Sequence, residues 1–337
     1  MLSKYLMRGA ISAPFLVAGA MGGILMLTAP KAPPPIAAIQ GASDFMSAFA
    51  QAQPPASYMT ARDGAKLSYR LYPGKAGAGV VVAVHGSSGT TVAMHGIAEA
   101  ISAEGPAVYS IDLRGHGYSE GPDGRLGDVA YRGQYEDDLA DIAKFVSIAH
   151  PTENKLLLGH STGGAVILRT ASIQAYADNY DAYLALSPFI APGSAMDRPN
   201  QGGWTSVSVP RIVVLSILNG FGISALDHMT VLEMAVPDGT KDRRPGSYSH
   251  ALLASANLPR EWEPAIRAIQ RPTQVLIGEK DELFFAKAYP SELGRANPKI
   301  KVTLLPNVGH MAMVYQDDAL KAVTGKVREM LRPVGQN

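Results

Sequence analysis

The chain has 337 residues, 47 % of them hydrophobic, and its 30 basic and 29 acidic side chains leave a formal net charge of +1. That composition supplies a large buried core, and a balanced charge without a basic run excludes an electrostatic footprint for nucleic acid. No cysteine occurs, so disulfides, thiolate metal sites and lipidated cysteine are excluded, and the eight histidines show no metal-ligand spacing such as His-Glu-x-x-His.

Lys4 and Arg8 precede an uncharged run, residues 9 to 30, that includes Phe15-Leu16-Val17 and Ile24-Leu25-Met26-Leu27. At about 1.5 Å per residue such a run reaches roughly 33 Å, enough to cross a bilayer, and the basic start favours an exported catalytic body. Residues 1–30 are therefore expected to be a membrane anchor. A cleaved signal peptide is the rival, although no small-x-small site follows the run and Ala18-Gly19-Ala20 lies inside it. Residues 31–56, rich in Ala, Pro, Gln and Ser, read as a tether.

Ser57 to Thr60, an Asp63-Gly64 turn and Lys66 to Leu71 predict an opening hairpin. Gly79-Val80-Val81-Val82-Ala83-Val84 is apolar throughout, as a strand covered on both faces must be, and opens into His85-Gly86-Ser87-Ser88-Gly89-Thr90. Ala107 to Ile111 is the next strand. Gly115-x-Gly117 after it lacks the third glycine of a dinucleotide loop, and no Gly-Lys-Ser/Thr loop exists, so no cofactor is expected. Leu139, Ile142, Ala143 and Val146 recur at helical spacing. Leu156-Leu157-Leu158 then runs straight into Gly159-His160-Ser161-Thr162-Gly163-Gly164.

This last segment has the pattern of a nucleophile elbow. A serine on a sharp strand-to-helix turn needs tiny residues two places away on either side, since a Cβ there would strike the strained backbone. Ala165-Val166-Ile167-Leu168 can continue as a buried helix whose first amides point at the serine. A plain Gly-Ser turn with an idle serine fits the five residues equally well.

Ala182 to Leu186 is a further strand. Between Phe189 and Pro272 the alternation of strands and helices breaks for about 80 residues, too many for a simple connection. Residues 190–271 are expected to form an inserted helical lid, with Arg211 to Leu218 and Phe221 as an apolar helix and Trp204, Met229, Leu232 and Met234 adding apolar surface. Tyr248, Ser249 and His250 could orient a substrate head group or sit on a solvated loop, and the loop is expected. Thr273 to Gly278 reads as a strand leading to Glu279-Lys280-Asp281-Glu282, and Lys299 to Leu305 as another leading to Pro306-Asn307-Val308-Gly309-His310. Leu320, Val323, Val327 and Met330 give the closing helix one apolar face.

The order Ser161, Asp281, His310 supplies a nucleophile, an orienting acid and a general base, each beyond a strand. Glu279 and Glu282 are rivals to Asp281 as the acid. The backbone amides of Ser87 and Thr162 are the expected donors to a developing oxyanion. The alternation of elements implies α/β architecture, a mostly parallel sheet flanked by helices, with core residues 57–189 and 272–337.

Together, His85-Gly86, Asp112-Leu113-Arg114-Gly115-His116-Gly117-Tyr118-Ser119, Gly159 to Gly164, Gly278 to Asp281 and Gly309-His310 resemble the α/β-hydrolase superfamily. The branch it is most similar to is the monoglyceride lipase, lysophospholipase and serine-aminopeptidase-like one, over roughly residues 57 to 333. The resemblance implies structural roles for Asp112, Arg114, His116, His85 and His160. Two departures stand out: Thr162 replaces the branch's usual methionine, and its oxyanion loop seldom reads Ser-Ser. What the resemblance implies is a serine hydrolase that cleaves a hydrophobic carboxylic ester such as monoacylglycerol or lysophospholipid, without cofactor or metal. An amide or peptide substrate, or a hydrolase-fold receptor without turnover, is the alternative.

Overall fold

Runs that are apolar at nearly every position become the strands at the centre of one sheet, because burial on both faces is what such runs require. The computed structural model describes residues 17–33, 53–198, 203–235 and 243–332. In chain order the first half comprises α1 (residues 17–27), β1 (Ser57–Thr60), β2 (Lys66–Tyr72), β3 (Val80–Val84), α2 (His95–Ala103), β4 (Ala107–Ile111), α3 (Gln134–Ala149), β5 (Lys155–His160) and α4 (Thr162–Ser172). There follow β6 (Ala182–Leu186), β7 (Thr205–Val207), α5 (Val209–Gly220), β8 (Thr230–Met234), β9 (Ser247–Ser249), α6 (His250–Ala256) and α7 (Trp262–Ala268). The chain then forms β10 (Thr273–Gly278), α8 (Tyr289–Ala296), β11 (Lys301–Leu305) and α9 (Asp317–Leu331).

Eight strands make the main sheet in the order β1-β2-β4-β3-β5-β6-β10-β11. The opening hairpin pairs antiparallel, and β2 joins β4 antiparallel, while β4, β3, β5, β6, β10 and β11 are all parallel. Strand pleating sends Val80, Val82 and Val84 to one face and Val81 and Ala83 to the other. The first face packs against α3, α4, α6, α7 and α8, and the second against α2 and α9. The mostly parallel sheet between two helical layers is the architecture that the alternation predicts.

The segment between β6 and β10 differs in content from the expected helical lid. It contains α5, α6 and α7, but also a separate antiparallel sheet of order β7-β8-β9. Two of these strands have only three residues, too few for an alternation to show. The expected solvated loop at Tyr248, Ser249 and His250 is corrected: Tyr248 and Ser249 end β9, His250 begins α6, and all three are buried. Ser249 caps α6 by accepting the Leu252 N–H, a use of serine that resembles a loop signal in sequence.

Among the described residues no helix is long and apolar enough to cross a membrane. The described part of the expected anchor, α1, rises roughly 16 Å against about 30 Å of hydrocarbon. Residues 1–16 and 34–52 lie outside the described residues, and with them residues 9–16 of the expected span and most of the tether. The end of α1 is held by the insertion. Leu25 is buried among Val214, Leu215 and Val231, and Arg211 Nε donates to the Leu25 carbonyl at 2.8 Å.

Candidate active site

All five residues singled out for chemistry follow the carboxyl ends of parallel strands: Ser87 after β3, Ser161 and Thr162 after β5, Asp281 after β10 and His310 after β11. Ser161 sits at φ 54° and ψ −118°, a conformation that L residues rarely adopt. The close approach predicted for its glycine neighbours is present. A Cβ on Gly159 would lie 2.3 Å from the Gly163 carbonyl oxygen, and one on Gly163 would lie 2.4 Å from that of His85. Buried packing of Val166, Ile167 and Leu168 keeps α4 against the sheet.

The three side chains converge. Ser161 Oγ lies 3.0 Å from His310 Nε2, and His310 Nδ1 lies 2.9 Å from Asp281 Oδ2. The other carboxylate oxygen of Asp281 accepts the N–H groups of Leu283 and Phe284 at 3.0 and 2.9 Å. Nδ1–H therefore points at the acid, and Nε2 is left to accept the serine proton. Of the two rival carboxylates, Glu282 accepts the backbone N–H of His310 at 2.8 Å, whereas Glu279 is exposed. The ring is thus oriented by one carboxylate and its backbone by the next.

Burial works against charge on His310, but the adjacent Asp281 carboxylate outweighs it and holds the imidazole above its ordinary value. Burial likewise opposes ionisation of Asp281, and the charge and hydrogen bond of His310 reverse this, leaving the carboxyl below its usual range. His160, wholly buried beside His310, is driven down to about 3 by burial and then by its neighbour, so it is neutral; its Nε2–H donates to the His310 carbonyl at 3.1 Å.

Across from Ser161, the loop after β3 comes so close that a Cβ on Gly86 would lie 3.0 Å from Ser161 Cβ. Thr162 is the first residue of α4, so its amide is one of the helix donors without an intrahelical acceptor. The Ser87 and Thr162 hydroxyls hydrogen-bond each other directly, which puts their two backbone segments face to face beside Ser161. His85 accepts the Leu113 N–H through Nε2 and donates from Nδ1 to the Gly86 carbonyl at 2.9 Å, tying this loop to the segment after β4. In that segment Asp112 accepts the N–H groups of Thr91 and Tyr118, and Arg114 pairs with buried Asp138. These contacts are structural, as the resemblance implies.

Tyr248 is a site residue that sequence reasoning missed. It reaches from the insertion to accept the Ser88 N–H at 2.8 Å, and only the fold reveals this. The insertion also holds a second serine, histidine and aspartate string, Ser216 Oγ to His250 Nε2 at 3.3 Å and His250 Nδ1 to Asp227 Oδ1 at 2.9 Å. Ser216 lies inside α5, where backbone N–H groups are committed to the helix and none can serve an oxyanion. Among the described residues no three His, Asp or Glu side chains gather as a metal site.

A doubly covered parallel sheet with a strained serine turn at the end of a central strand defines an α/β-hydrolase. Residues 75–315 match the sequence profile of the serine aminopeptidase S33 family, and the chain belongs to that family of hydrolases. A monoacylglycerol lipase of Mycolicibacterium smegmatis is 25% identical over 228 residues, 65% of this chain and 76% of the relative. Two solved structures share the fold. A soluble variant of monoglyceride lipase from Saccharomyces cerevisiae superposes with a TM-score of 0.62 at 17% identity, covering 88% of this chain and 98% of that one. A putative aryl esterase from Burkholderia cenocepacia gives 0.55 at 20% identity, over 82% and 99%.

Proposed function

We propose that the chain hydrolyses carboxylic esters of lipid-like molecules through an acyl-enzyme on Ser161. The observation that carries the proposal is the string Ser161 Oγ, His310 Nε2 and Asp281, at 3.0 and 2.9 Å, on a turn whose strain keeps the hydroxyl presented. His310 takes the serine proton as Oγ attacks the acyl carbon, then returns it to the leaving alcohol. Water activated by the same imidazole releases the acid. Asp281 fixes the ring's tautomer and supports the imidazolium, and the Ser87 and Thr162 amides receive the oxyanion.

The lipid-like substrate is supported by the mycobacterial monoacylglycerol lipase relative and by the apolar surface of the insertion. Val209, Val213, Ile217 and Phe221 form an exposed stripe at helical spacing along α5, with Phe221 79 % exposed. We propose residues 190–271 as a lid on a core of 57–189 and 272–337, and this stripe as the face that meets lipid. Docking of α1 beside it supports retention of the N-terminal segment, which we propose to hold the protein at a membrane with the catalytic body exported. Amide cleavage by the same three residues is a second reading, favoured by the aminopeptidase description of the family.

A fluorophosphonate probe is expected to label the wild-type chain and not the His310→Ala variant. Hydrolysis of p-nitrophenyl esters is expected to improve from acetyl to longer chains, and monoacylglycerol to be cleaved. No labelling sinks the enzyme reading, and turnover of acetyl esters alone sinks the lipid one.

A further inference from the structure

The insertion touches the catalytic loop at one point of high order. Tyr248 Oη accepts the Ser88 N–H at 2.8 Å and lies 2.8 Å from His116 Nε2. Ser87 in turn meets Thr162, the residue after the nucleophile. Five residues from four separated stretches of chain are thereby strung into one file.

The His116 end of the file has a single polarity. His116 is buried, and burial, with His85 beside it, holds its imidazole far below its ordinary value, so the ring has one proton. Nδ1 lies 3.2 Å from the Arg114 carbonyl, which can only accept, so the proton is on Nδ1 and Nε2 must accept from Tyr248. The phenol has then given its only proton, and its oxygen receives the Ser88 N–H.

Ser88 is held at φ 51°, a left-handed conformation unusual for serine, and its hydroxyl donates to the Pro245 carbonyl at 2.6 Å. Two of the groups that impose this backbone, Tyr248 and Pro245, belong to the insertion. A strained peptide kept in place by bonds to another element relaxes when those bonds go.

We propose that Tyr248 is a positioning residue for the oxyanion site: anchored by His116, it fixes the 87–88 peptide and with it the adjoining 86–87 peptide, whose Ser87 N–H points at the developing charge. The insertion is then part of the catalytic frame as well as a cover. This rests on the hydrolase proposal above, and the tests separate the two. Losing an oxyanion donor outright costs about 10²- to 10³-fold in turnover, so a donor left in place but misdirected is expected to cost on the order of 10-fold.

The experiment compares Tyr248→Phe with wild type on a soluble p-nitrophenyl ester. An alkyl trifluoromethyl ketone, whose hemiketal oxyanion occupies the same place, serves as the binding probe. The expected result is kcat down by about 10-fold with KM unchanged, ketone affinity weakened by the same factor, and the acid limb of the pH profile unmoved because His310 is untouched. If Tyr248→Phe does not fold, His116→Leu, which removes the anchor of the phenol, is expected to show the same pattern. Values of kcat and ketone affinity within 2-fold of wild type, or a rise in KM with kcat intact, overturn the proposal. A wild-type chain that neither turns over an ester nor reacts with a fluorophosphonate overturns the hydrolase reading itself, and this inference with it.

Discussion

Asp281→Asn is the sharpest test of the proposed triad, because it alters one atom pair and leaves the shape alone. The carboxylate has one oxygen on two backbone N–H groups and the other on His310 Nδ1. An asparagine keeps its carbonyl oxygen on the two N–H groups and turns its NH₂ toward Nδ1. Nδ1 must then accept, the ring proton moves to Nε2, and the serine loses its base. Imidazolium and carboxylate with charge centres about 4 Å apart attract by about 4 kcal/mol at an effective dielectric of about 20, which is about 10³-fold in rate. The wrong tautomer extends the loss toward about 10⁴-fold. The pH profile carries an independent signature. A neutral His310 is the active form and Asp281 raises its pKa, so wild-type activity is lost as pH falls through a value above about 6.5. Removing the carboxylate moves that limb to lower pH. The assay is ester hydrolysis from pH 4 to 9, with protein concentration fixed by absorbance and folding by thermal melt. A folded Asp281→Asn variant within 10-fold of wild type, or an acid limb that stays in place, refutes the assignment of Asp281. Glu282→Gln, which keeps an oxygen for the His310 backbone N–H, is expected to stay within a few-fold of wild type.

Ser161→Ala is expected to abolish fluorophosphonate labelling completely despite Ser216; residual label at Ser216 by peptide mapping would contradict the helix argument. Gly159→Ala forces a Cβ to 2.3 Å from a backbone oxygen, and is expected to cost about 2–4 kcal/mol, lowering Tm by roughly 5–10 °C, and at least about 10² in kcat. The double variant Val213→Glu with Ile217→Glu places two charges on the exposed stripe of α5. It is expected to reduce sedimentation with phosphatidylcholine vesicles several-fold while leaving soluble-ester hydrolysis within about 2-fold, and unchanged sedimentation would remove the stripe from the lipid reading.

The central strands and the nucleophile turn were legible because their constraints are local. Val80 to Val84 must be buried on both faces to be apolar throughout, and Gly159 and Gly163 must be small whatever else the fold does. The positions of Asp281 and His310 were legible for a related reason: each lies a few residues beyond a strand in a parallel sheet, and such loops gather at one edge. The sequence favoured Asp281 but left Glu279 and Glu282 as rivals, since the choice depends on how the loop turns, with Asp281 folded under its own Leu283 and Phe284 amides. The insertion was the least legible part. β7 and β9 have three residues each, and Tyr248 looks like a polar loop residue until its partners, more than 100 residues away in sequence, are brought to it.

The two serine, histidine and aspartate strings in one chain show what distinguishes a candidate site from a set of hydrogen bonds. Their histidine to aspartate distances are the same, 2.9 Å, and both histidines are buried. They differ in the backbone beneath the serine. Ser216 sits mid-helix, so the backbone N–H groups beside it are already committed to the helix. Ser161 sits where a strand ends and a helix has not yet closed its first bonds, so the amide of the next residue is a helix donor without an intrahelical acceptor, and the loop after β3 packs close against the serine. On the proposed mechanism, reactivity at Ser161 depends on a turn that costs conformational strain, and the glycines, the Glu282 bond to the His310 backbone and the Tyr248 bond to Ser88 are the contacts proposed to hold that backbone in place. Variants of these supports are therefore expected to act on kcat before they act on KM.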